Sequence, residues 1–230
     1  MLDLTTVKGK LIAAAMKLAA QHKWSDVTLR MIAEEADVSM ADVKREVSSK
    51  GHIFGLFTAA VDKEILAKVA PTDPNQSPRD NLFETIMNRF DAMQPYKDGI
   101  RSILDDASPD PRLLQRLFSS QGWMLEAAGI SSYGPLGSIK TAGLASLYLQ
   151  VLRIWLEDED PGMARTMAAL DRRLRRGERS MQALEEGTRV FGRIASIFKS
   201  RVDKDTSPGH SKPTNGANDD VMGTSSPQSS

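Results

Sequence analysis

Apolar residues recur along most of this chain at intervals of three and four positions, which is the spacing of one face of an α-helix. The first such segment covers residues 7–22, and Thr5 or Thr6 stands where its N-terminal cap is expected. Strand-like runs rich in Val, Ile and Thr are missing from the sequence. The hydrophobic pattern therefore predicts an all-α protein.

Further helices are predicted from caps and from apolar stripes. Thr28 is placed to cap the second helix and Ser39 the third, and residues 51–69 form the fourth. Later segments with helical spacing cover residues 79–93, 95–106, 111–128, 139–156, 161–184 and 188–202.

Composition divides the chain into three parts. Residues 1–70 hold four helices and predict a small N-terminal bundle. The stretch PTDPNQSP that follows is typical of a connection, because it combines three prolines with turn-forming residues. Residues 79–202 predict a larger helical domain for ligand binding and dimerisation. Residues 203–230 contain almost no apolar side chains to offset the entropy of ordering, so we expect a disordered tail.

Charge and cysteine content narrow the classes of function. The chain has no cysteine, which excludes disulfides and thiolate metal sites. Basic and acidic residues number 30 each, and residues 1–68 carry ten basic against nine acidic side chains, a net of plus one. The sequence shows neither a secretory leader pattern nor an apolar run long enough to cross a bilayer. We therefore expect a cytoplasmic protein whose charge gives only weak support for binding to nucleic acid.

The helix predicted over residues 139–156 is apolar nearly all round, which is typical of a helix buried from several sides. Its polar exceptions Ser146, Gln150 and Arg153 share one stripe, which is either an edge facing solvent or a second subunit, or a set of polar groups lining a ligand cavity. Met and Trp side chains nearby are either plain core or the wall of an adaptable apolar cavity. The predicted ligand-binding residues are Trp123, Met124, Tyr148, Leu152, Trp155, Met163 and Met167.

The segment 188–202 predicts a basic amphipathic helix. Its apolar face holds Phe191, Ile194, Ile197 and Phe198, and its charged side chains are all basic. Such a helix either packs on its own domain or a second subunit, or lies on an anionic membrane surface with the apolar face in the headgroup region. A peripheral membrane contact through residues 188–202 is the second of these two hypotheses.

The stretch TLRMIAEEADVSMADVKREVSSK, residues 28–50, has the spacing of two short helices that cross closely. The small side chains of Ala33 and Ala36 permit that contact. The second of the two helices can then present outward Met40, Ala41, Lys44 and Arg45. This is the arrangement of a recognition helix in a DNA major groove, although a helical hairpin within a core has similar spacing.

A longer run, IAAAMKLAAQHKWSDVTLRMIAEEADVSMADVKREVSSKGHIF, resembles the N-terminal domain of TetR-family transcriptional regulators. The matching positions are Ile32, Ala33, Ala36, Val38, Ser39, Ser49 and Lys50. The chain departs from the family pattern at Asp37, where the family has Gly, and at Lys44, where it commonly has a Tyr that contacts a phosphate. Val47 replaces a Phe, and Gly51 replaces an acid.

The resemblance implies a TetR-like fold, a homodimer, a double-stranded DNA operator and an apolar small-molecule or lipid effector. It also implies roles for individual residues. Thr28, Lys44 and Lys50 would contact phosphates, with Lys44 acting as a point charge. Ser39, Met40, Ala41 and Arg45 would face the base edges, and Arg45 is the candidate for reading a guanine.

Residues 87–200 resemble a different protein family with the same fold, the TetR-like accessory proteins of ubiquinone biosynthesis. The resemblance is carried by Pro95, Tyr96, Trp123, Tyr148, Asp158, Pro161, Thr166, Leu170 and Asp171. It implies an isoprenoid-lipid-binding protein that has lost DNA binding and whose final amphipathic helix meets membrane lipid.

Motifs of catalysis are lacking. The sequence contains no glycine-rich phosphate loop, no nucleophile elbow and no zinc signature, and its three histidines lie far apart. The acidic run at 157–160 lies between two predicted helices, where acids favour the next N-terminus. We therefore expect neither enzyme activity nor a cofactor nor a metal. Two functions remain, a ligand-responsive DNA-binding regulator and a lipid-binding accessory protein.

Overall fold

The computed structural model describes residues 2–69, 76–106 and 111–183, with the backbone alone for 111–114. Within these ranges the chain is helical and contains no strand, as predicted. The helices are α1 (Val7–Gln21), α2 (Leu29–Glu35), α3 (Met40–Glu46), α4 (Lys50–Ala67), α5 (Pro78–Met93), α6 (Lys97–Asp105), α7 (Pro111–Ala127), α8 (Gly134–Glu157) and α9 (164–183), with a 3-10 turn at Gln94–Tyr96.

Side-chain caps set where the early helices begin. Thr6, Thr28, Ser39, Ser49 and Ser77 each accept a hydrogen bond from the backbone N–H three residues further on. Such a bond satisfies one of the amide groups left without a partner at a helix start. The predicted caps Thr28 and Ser39 are confirmed.

Helix α8 begins five residues earlier than predicted. Its first turn contains Pro135. Proline lacks a backbone N–H, which is tolerated there because the first amides of a helix have no acceptor within the helix. Gly137 is buried, and a Cβ atom there would lie 2.2 Å from the carbonyl carbon of Ser132. Glycine therefore permits the preceding loop to cross the first turn of the helix.

Helix α9 begins later than predicted. Pro161 and Gly162 form a turn instead of the first helical positions, and Met163 adopts a left-handed φ of 52°. The carboxylate of Asp160 accepts hydrogen bonds from the backbone N–H groups of Gly162 and Ala164, both at 3.1 Å. Asp160 therefore caps the helix across a turn.

One contiguous core runs through the described helices. Its fully buried side chains come from both sides of the predicted connection, with Leu11 and Ile32 before it and Phe90 and Trp155 after it. α1 packs most extensively against α6 and also against α4. The division into domains at residue 70 remains a prediction.

Among the helices of the described part, none is long and apolar enough to cross a membrane. The predicted amphipathic helix 188–202, with Phe191, Ile194, Ile197 and Phe198, lies outside the described residues. The predicted disordered tail, 203–230, lies outside them as well.

Candidate nucleic-acid interface

The turn between α2 and α3 is a complete helix-terminating motif. The backbone N–H of Val38 donates to the carbonyl of Ala33 at 3.0 Å, and that of Asp37 donates to Glu34 at 3.2 Å. Asp37 has a φ of 52°, the left-handed conformation that this motif requires and that glycine adopts most readily. Asp is among the residues that tolerate it, so the turn forms without the glycine of the family pattern.

This turn brings α2 and α3 together over buried side chains. Ile32, Ala33 and Val43 are each exposed by 2% or less. The opposite side of α3 is open to solvent, because Met40 is 51% exposed and its neighbours along the helix are exposed as well. We call this the recognition surface, formed by Ser39, Met40, Ala41, Lys44 and Arg45.

Ser39 and Asp42 fix the N-terminus of α3. The Ser39 hydroxyl accepts a hydrogen bond from the Asp42 backbone N–H at 3.1 Å and donates to the Asp42 carboxylate at 2.7 Å. The bond from Ser39, together with the charge of Arg45, lowers the pKa of Asp42. The carboxylate therefore stays ionised at the start of the helix, where negative charge is favourable.

Arg45 is held by acids of its own helix. Its guanidinium lies 2.7 Å from Asp42 Oδ1 and 3.3 Å from Glu46 Oε1, and these carboxylates raise the pKa of Arg45. Glu46 also lies 3.6 Å from the ammonium of Lys8. The arginine side chain remains 63% exposed, so it can leave these partners for a base edge. Lys44 is exposed and forms no ion pair with any residue that the structure describes.

Lys50 is directed into the protein. Its ammonium donates to the carbonyls of Trp24 and Val27, both at 2.5 Å, and lies 4.9 Å from the centre of the Trp24 ring. Burial lowers the pKa of Lys50, although Asp106 and Asp26 oppose the shift. This lysine therefore attaches the first turn of α4 to the loop that precedes α2.

Thr28 and Arg30 lie at the exposed start of α2. The Thr28 hydroxyl oxygen accepts from the Met31 backbone N–H at 3.1 Å, and its O–H can still donate to a phosphate. Arg30, which is not among the residues predicted from the sequence, pairs with Glu34 at 2.9 Å and is 81% exposed. The sequence indicates this ion pair, because Arg30 and Glu34 are four positions apart on a predicted helix.

An open groove of about 500 Å³ lies beside the turn between α2 and α3. It is lined by Arg30, Ala33, Glu34, Asp37, Val38, Ser39 and Met40.

Helix α6 connects the loop before α2 to the later helices. We call this loop, together with α2 and α3, the reading head. At its C-terminal end, Asp106 accepts a hydrogen bond from the Ser25 backbone N–H at 2.7 Å, and the Ser102 hydroxyl donates to the His22 carbonyl at 3.0 Å. Near its N-terminal end, Lys97 and Arg101 donate to backbone carbonyls at the end of α8. α6 thus contacts both the loop before α2 and the end of α8.

The residues predicted to bind an apolar ligand do not form one group. Trp123 and Met167 are 59% and 38% exposed, whereas the others are buried in the core: Met124, Tyr148, Leu152, Trp155 and Met163. Met163 and Met167 line a shallow groove of about 310 Å³ with Phe83 and Met87 of α5.

Aromatic stacking brings two of the buried residues together. The rings of Tyr148 and Trp155 each lie 5.4 Å from that of Phe90, measured between centroids. The Trp155 indole N–H donates to Gln94 Oε1 at 2.9 Å. Phe90, which is not among the residues predicted from the sequence, is therefore the centre of this aromatic group.

A cluster of buried polar side chains was not predicted from the sequence. Arg89 of α5 is 3% exposed; its guanidinium lies 3.0 Å from Asp62 Oδ1 of α4 and donates to the Ser120 hydroxyl of α7. Gln121, the next residue of α7, is fully buried. We call Asp62, Arg89, Ser120 and Gln121 the polar cluster. Arg89 follows Leu82 and Ile86 on the apolar stripe of α5. A charged residue on such a stripe indicates a buried polar contact, and this is visible in the sequence.

The polar stripe of α8 faces outward. Ser146, Gln150 and Arg153 are exposed, and Gln150 contacts Ser146 at 3.4 Å and Arg173 of α9 at 3.3 Å. Of the two interpretations left open by the sequence, the structure favours an edge of the protein. In the ranges that the structure describes, no group of three or more His, Cys, Asp or Glu side chains is placed to hold a metal ion.

Solved structures of TetR transcriptional regulators resemble the chain. One from Nitrosomonas europaea is 19% identical, with a TM-score of 0.62 over 75% of this chain and 98% of its own. One from Rhodococcus is 17% identical, with a TM-score of 0.58 over 73% and 93%. One from Streptomyces coelicolor is 15% identical, with a TM-score of 0.52 over 86% and 94%. At these identities the likeness shows a TetR-like fold. No protein-family model and no curated protein matches the chain.

Proposed function

We propose that this protein is a DNA-binding transcriptional regulator that acts as a homodimer and responds to an apolar small-molecule effector. The observation that carries the proposal is the intact turn at Asp37, which holds α3 against α2 and leaves the recognition surface exposed. A short helix presented in this way fits a major groove.

In the proposed complex, Lys44 and Thr28 contact phosphates beside the groove. Arg45 exchanges Asp42 and Glu46 for the O6 and N7 atoms of a guanine. Lys50 supports the phosphate contacts from its place behind the loop before α2. The acids that now hold Arg45 make this exchange costly, so we expect tight binding only where the base edge matches the arginine.

Effector response requires that the later helices influence the spacing of two recognition helices. α4 and α6 both reach the loop before α2, through Lys50 and through Asp106 respectively. The exposed face of α8, with Ile139 and Leu149 at 49% and 39% exposure, is our proposed dimer surface. A shift of α6 or α4 on ligand binding would change the distance between the two reading heads.

A second candidate is a lipid-binding accessory protein without DNA binding, and one observation favours it. The recognition helix carries Asp42 and Glu46 as well as Lys44 and Arg45, so its side chains sum to zero charge. Truncation after residue 187 distinguishes the two candidates. It should release a lipid-binding protein from membranes, whereas a regulator should keep its distribution.

The proposed regulator can be tested in cells of the source organism. We would crosslink cells that produce the tagged protein, precipitate it and sequence the attached DNA. The regulator predicts a few enriched palindromic sites that disappear with the double variant Lys44→Ala/Arg45→Ala. Equal background for both proteins would contradict it.

A further inference from the structure

The polar cluster lies where α4, α5 and α7 pack together, within the apolar core. The Arg89 guanidinium is 5.0 Å from the Tyr148 ring, which itself stacks on Phe90. Met124 and Leu125, one turn further along α7 from Gln121, are almost completely buried. The cluster is therefore a polar group of side chains with an aromatic and aliphatic surround.

Several polar atoms of the cluster lack a protein partner. Among the residues that the structure describes, neither the Oε1 nor the Nε2 atom of Gln121 has a hydrogen-bond partner, and the Arg89 Nε atom has none. Asp62 Oδ1 lies at ion-pair distance from Arg89 but without hydrogen-bond geometry. A buried polar group without a partner costs about 1–3 kcal/mol. Because a Leu or Met at position 121 would avoid this cost, the glutamine calls for an explanation.

The charges of the cluster decide which ligands suit it. Arg89 and Asp62 supply one positive and one negative charge, so the cluster is neutral when both are ionised. Burial raises the pKa of Asp62, although Arg89 and Ser120 oppose the shift, so this site already disfavours negative charge. A ligand carboxylate would add a second anion to it. A neutral head group avoids this cost.

We propose that the polar cluster binds the head group of a neutral carboxamide with an apolar body. The amide of Gln121 offers one acceptor and one donor side by side, and a ligand carboxamide offers the complementary pair. Two reciprocal hydrogen bonds would then satisfy both atoms of Gln121. Arg89 would direct its Nε–H toward the ligand carbonyl, and the aromatic pair Tyr148 and Phe90 would pack on the apolar body.

Such a ligand would act on the helix that leads to the reading head. Asp62 lies on α4, and the first turn of α4 contacts the loop before α2 through Lys50. A ligand that rearranges the pair Asp62–Arg89 would therefore bias the position of that loop. This regulatory role rests on the proposed function, whereas the binding site does not.

Three probes of nearly equal shape test the site. Benzamide has a donor and an acceptor, acetophenone has the acceptor alone, and benzoate is an anion. We would measure their dissociation constants for the 230-residue chain by ligand-observed NMR. We expect benzamide to bind about tenfold more tightly than either of the others, the effect of one buried polar group left without a partner. Equal binding of all three, preference for benzoate, or no binding of benzamide would overturn the proposal.

Two variants test whether the preference for benzamide depends on Gln121. Gln121→Met keeps the volume and removes both polar atoms, while Gln115→Met makes the same change at an exposed position of the same helix. We expect Gln121→Met to lose the preference for benzamide and to melt at a higher temperature than the wild type in the absence of probe. Gln115→Met should change neither property. A lower melting temperature for Gln121→Met would assign Gln121 a structural role satisfied by ordered water and would overturn the proposal.

DNA binding is measured on the same samples, so that the two proposals fail separately. Selective benzamide binding by a protein that retains no specific DNA would support the site and contradict the regulator. Specific DNA binding without benzamide selectivity would support the regulator and overturn the site. Benzamide binding that weakens DNA binding in the wild type, but not in Gln121→Met, is the result expected if both hold.

Discussion

The backbone N–H of Ser25 donates a hydrogen bond to the carboxylate of Asp106 at 2.7 Å, across 81 positions of sequence. Ser25 lies in the loop that leads into α2, and Asp106 follows the last residue of α6. The bond from Ser25 lowers the pKa of Asp106, so this contact favours the ionised carboxylate. One end of the reading head is thereby attached to a helix that also contacts α8.

Removing this attachment should weaken DNA binding without unfolding the protein. We expect Asp106→Ala to lower affinity for a bound site several-fold, because the loop before α2 gains freedom that binding must remove. Asp106→Asn keeps an oxygen that can accept from Ser25 and should retain most of the affinity. Fluorescence anisotropy with a labelled duplex measures the effect. Equal losses for the two variants would point to the charge instead of the hydrogen bond.

Removing an acid from α3 should strengthen DNA binding. Glu46→Gln releases Arg45 and Lys8 from a carboxylate that repels phosphates. We expect higher affinity and a salt dependence of log K against log salt that is steeper by about one. Glu84→Gln makes the same charge change on an exposed part of α5 and serves as the control. An affinity increase of the same size in both variants would show only a general effect of net charge.

The two basic residues of α3 should differ in their effects. Lys44→Ala should weaken binding by a similar factor on all sequences and reduce the salt slope by about one. Arg45→Ala should cost about 1–3 kcal/mol on the best site and relax specificity at one base pair. Binding to a panel of single-substituted duplexes separates the two patterns, with Lys63→Ala on α4 as the control. Uniform losses for Arg45→Ala would contradict its role in reading a base.

The pair Asp62–Arg89 should matter for stability as a unit. Arg89→Met leaves the carboxylate of Asp62 largely buried without its partner, so we expect the free energy of unfolding to fall by about 3–5 kcal/mol. The double variant Asp62→Leu/Arg89→Met should recover much of that loss. Urea unfolding monitored by circular dichroism gives both values. A double variant no more stable than Arg89→Met would show that Asp62 is not the partner that matters.

Asp158 predicts a pH dependence of stability. Its buried carboxylate accepts hydrogen bonds from the Thr166 N–H at 2.9 Å and the Thr166 hydroxyl at 2.7 Å. Burial acts to raise the pKa of Asp158, but these bonds and that from the Asp160 N–H together outweigh it and lower the pKa. The stabilisation is therefore present above the ordinary Asp pKa of about 3.9 and is lost as pH falls through the lowered value.

We expect Asp158→Asn to lower the free energy of unfolding by about 1–3 kcal/mol at neutral pH. The difference from the wild type should shrink as the solution is made more acidic. Asp98→Asn on the exposed side of α6 is the matched control and should show little change. Urea unfolding at neutral and acidic pH gives the comparison, and a difference that stays constant with pH would contradict the role of the ionised carboxylate.

Local signals predicted the helices well where the cap and the apolar stripe agreed. Thr28 and Ser39 were identified as caps because Thr and Ser side chains satisfy the first amides of a helix. The early start of α8 was missed, since Gly134 and Pro135 resemble a loop until the packing of Gly137 on Ser132 is known.

The sites were harder to predict, because side-chain direction depends on tertiary packing. The resemblance predicts that Lys50 contacts a phosphate, yet its ammonium donates to the carbonyls of Trp24 and Val27, more than twenty positions away in the sequence. Trp123 is predicted to bind an apolar ligand, but its side chain is 59% exposed, because helical spacing does not show which side of α7 its neighbours cover. The polar residues Arg89 and Gln121 interrupt apolar stripes, and that signal was present in the sequence.

The most direct test of DNA binding uses the purified 230-residue chain and sheared DNA from the source genome. We would measure which fragments the protein retains at low salt and then at physiological salt, and sequence them. A working recognition surface predicts a few palindromic sites that survive the higher salt and that Lys44→Ala/Arg45→Ala does not retain. If no DNA is recovered, or only fragments without a common sequence that are lost at physiological salt, the result would contradict the proposal that this protein is a DNA-binding transcriptional regulator.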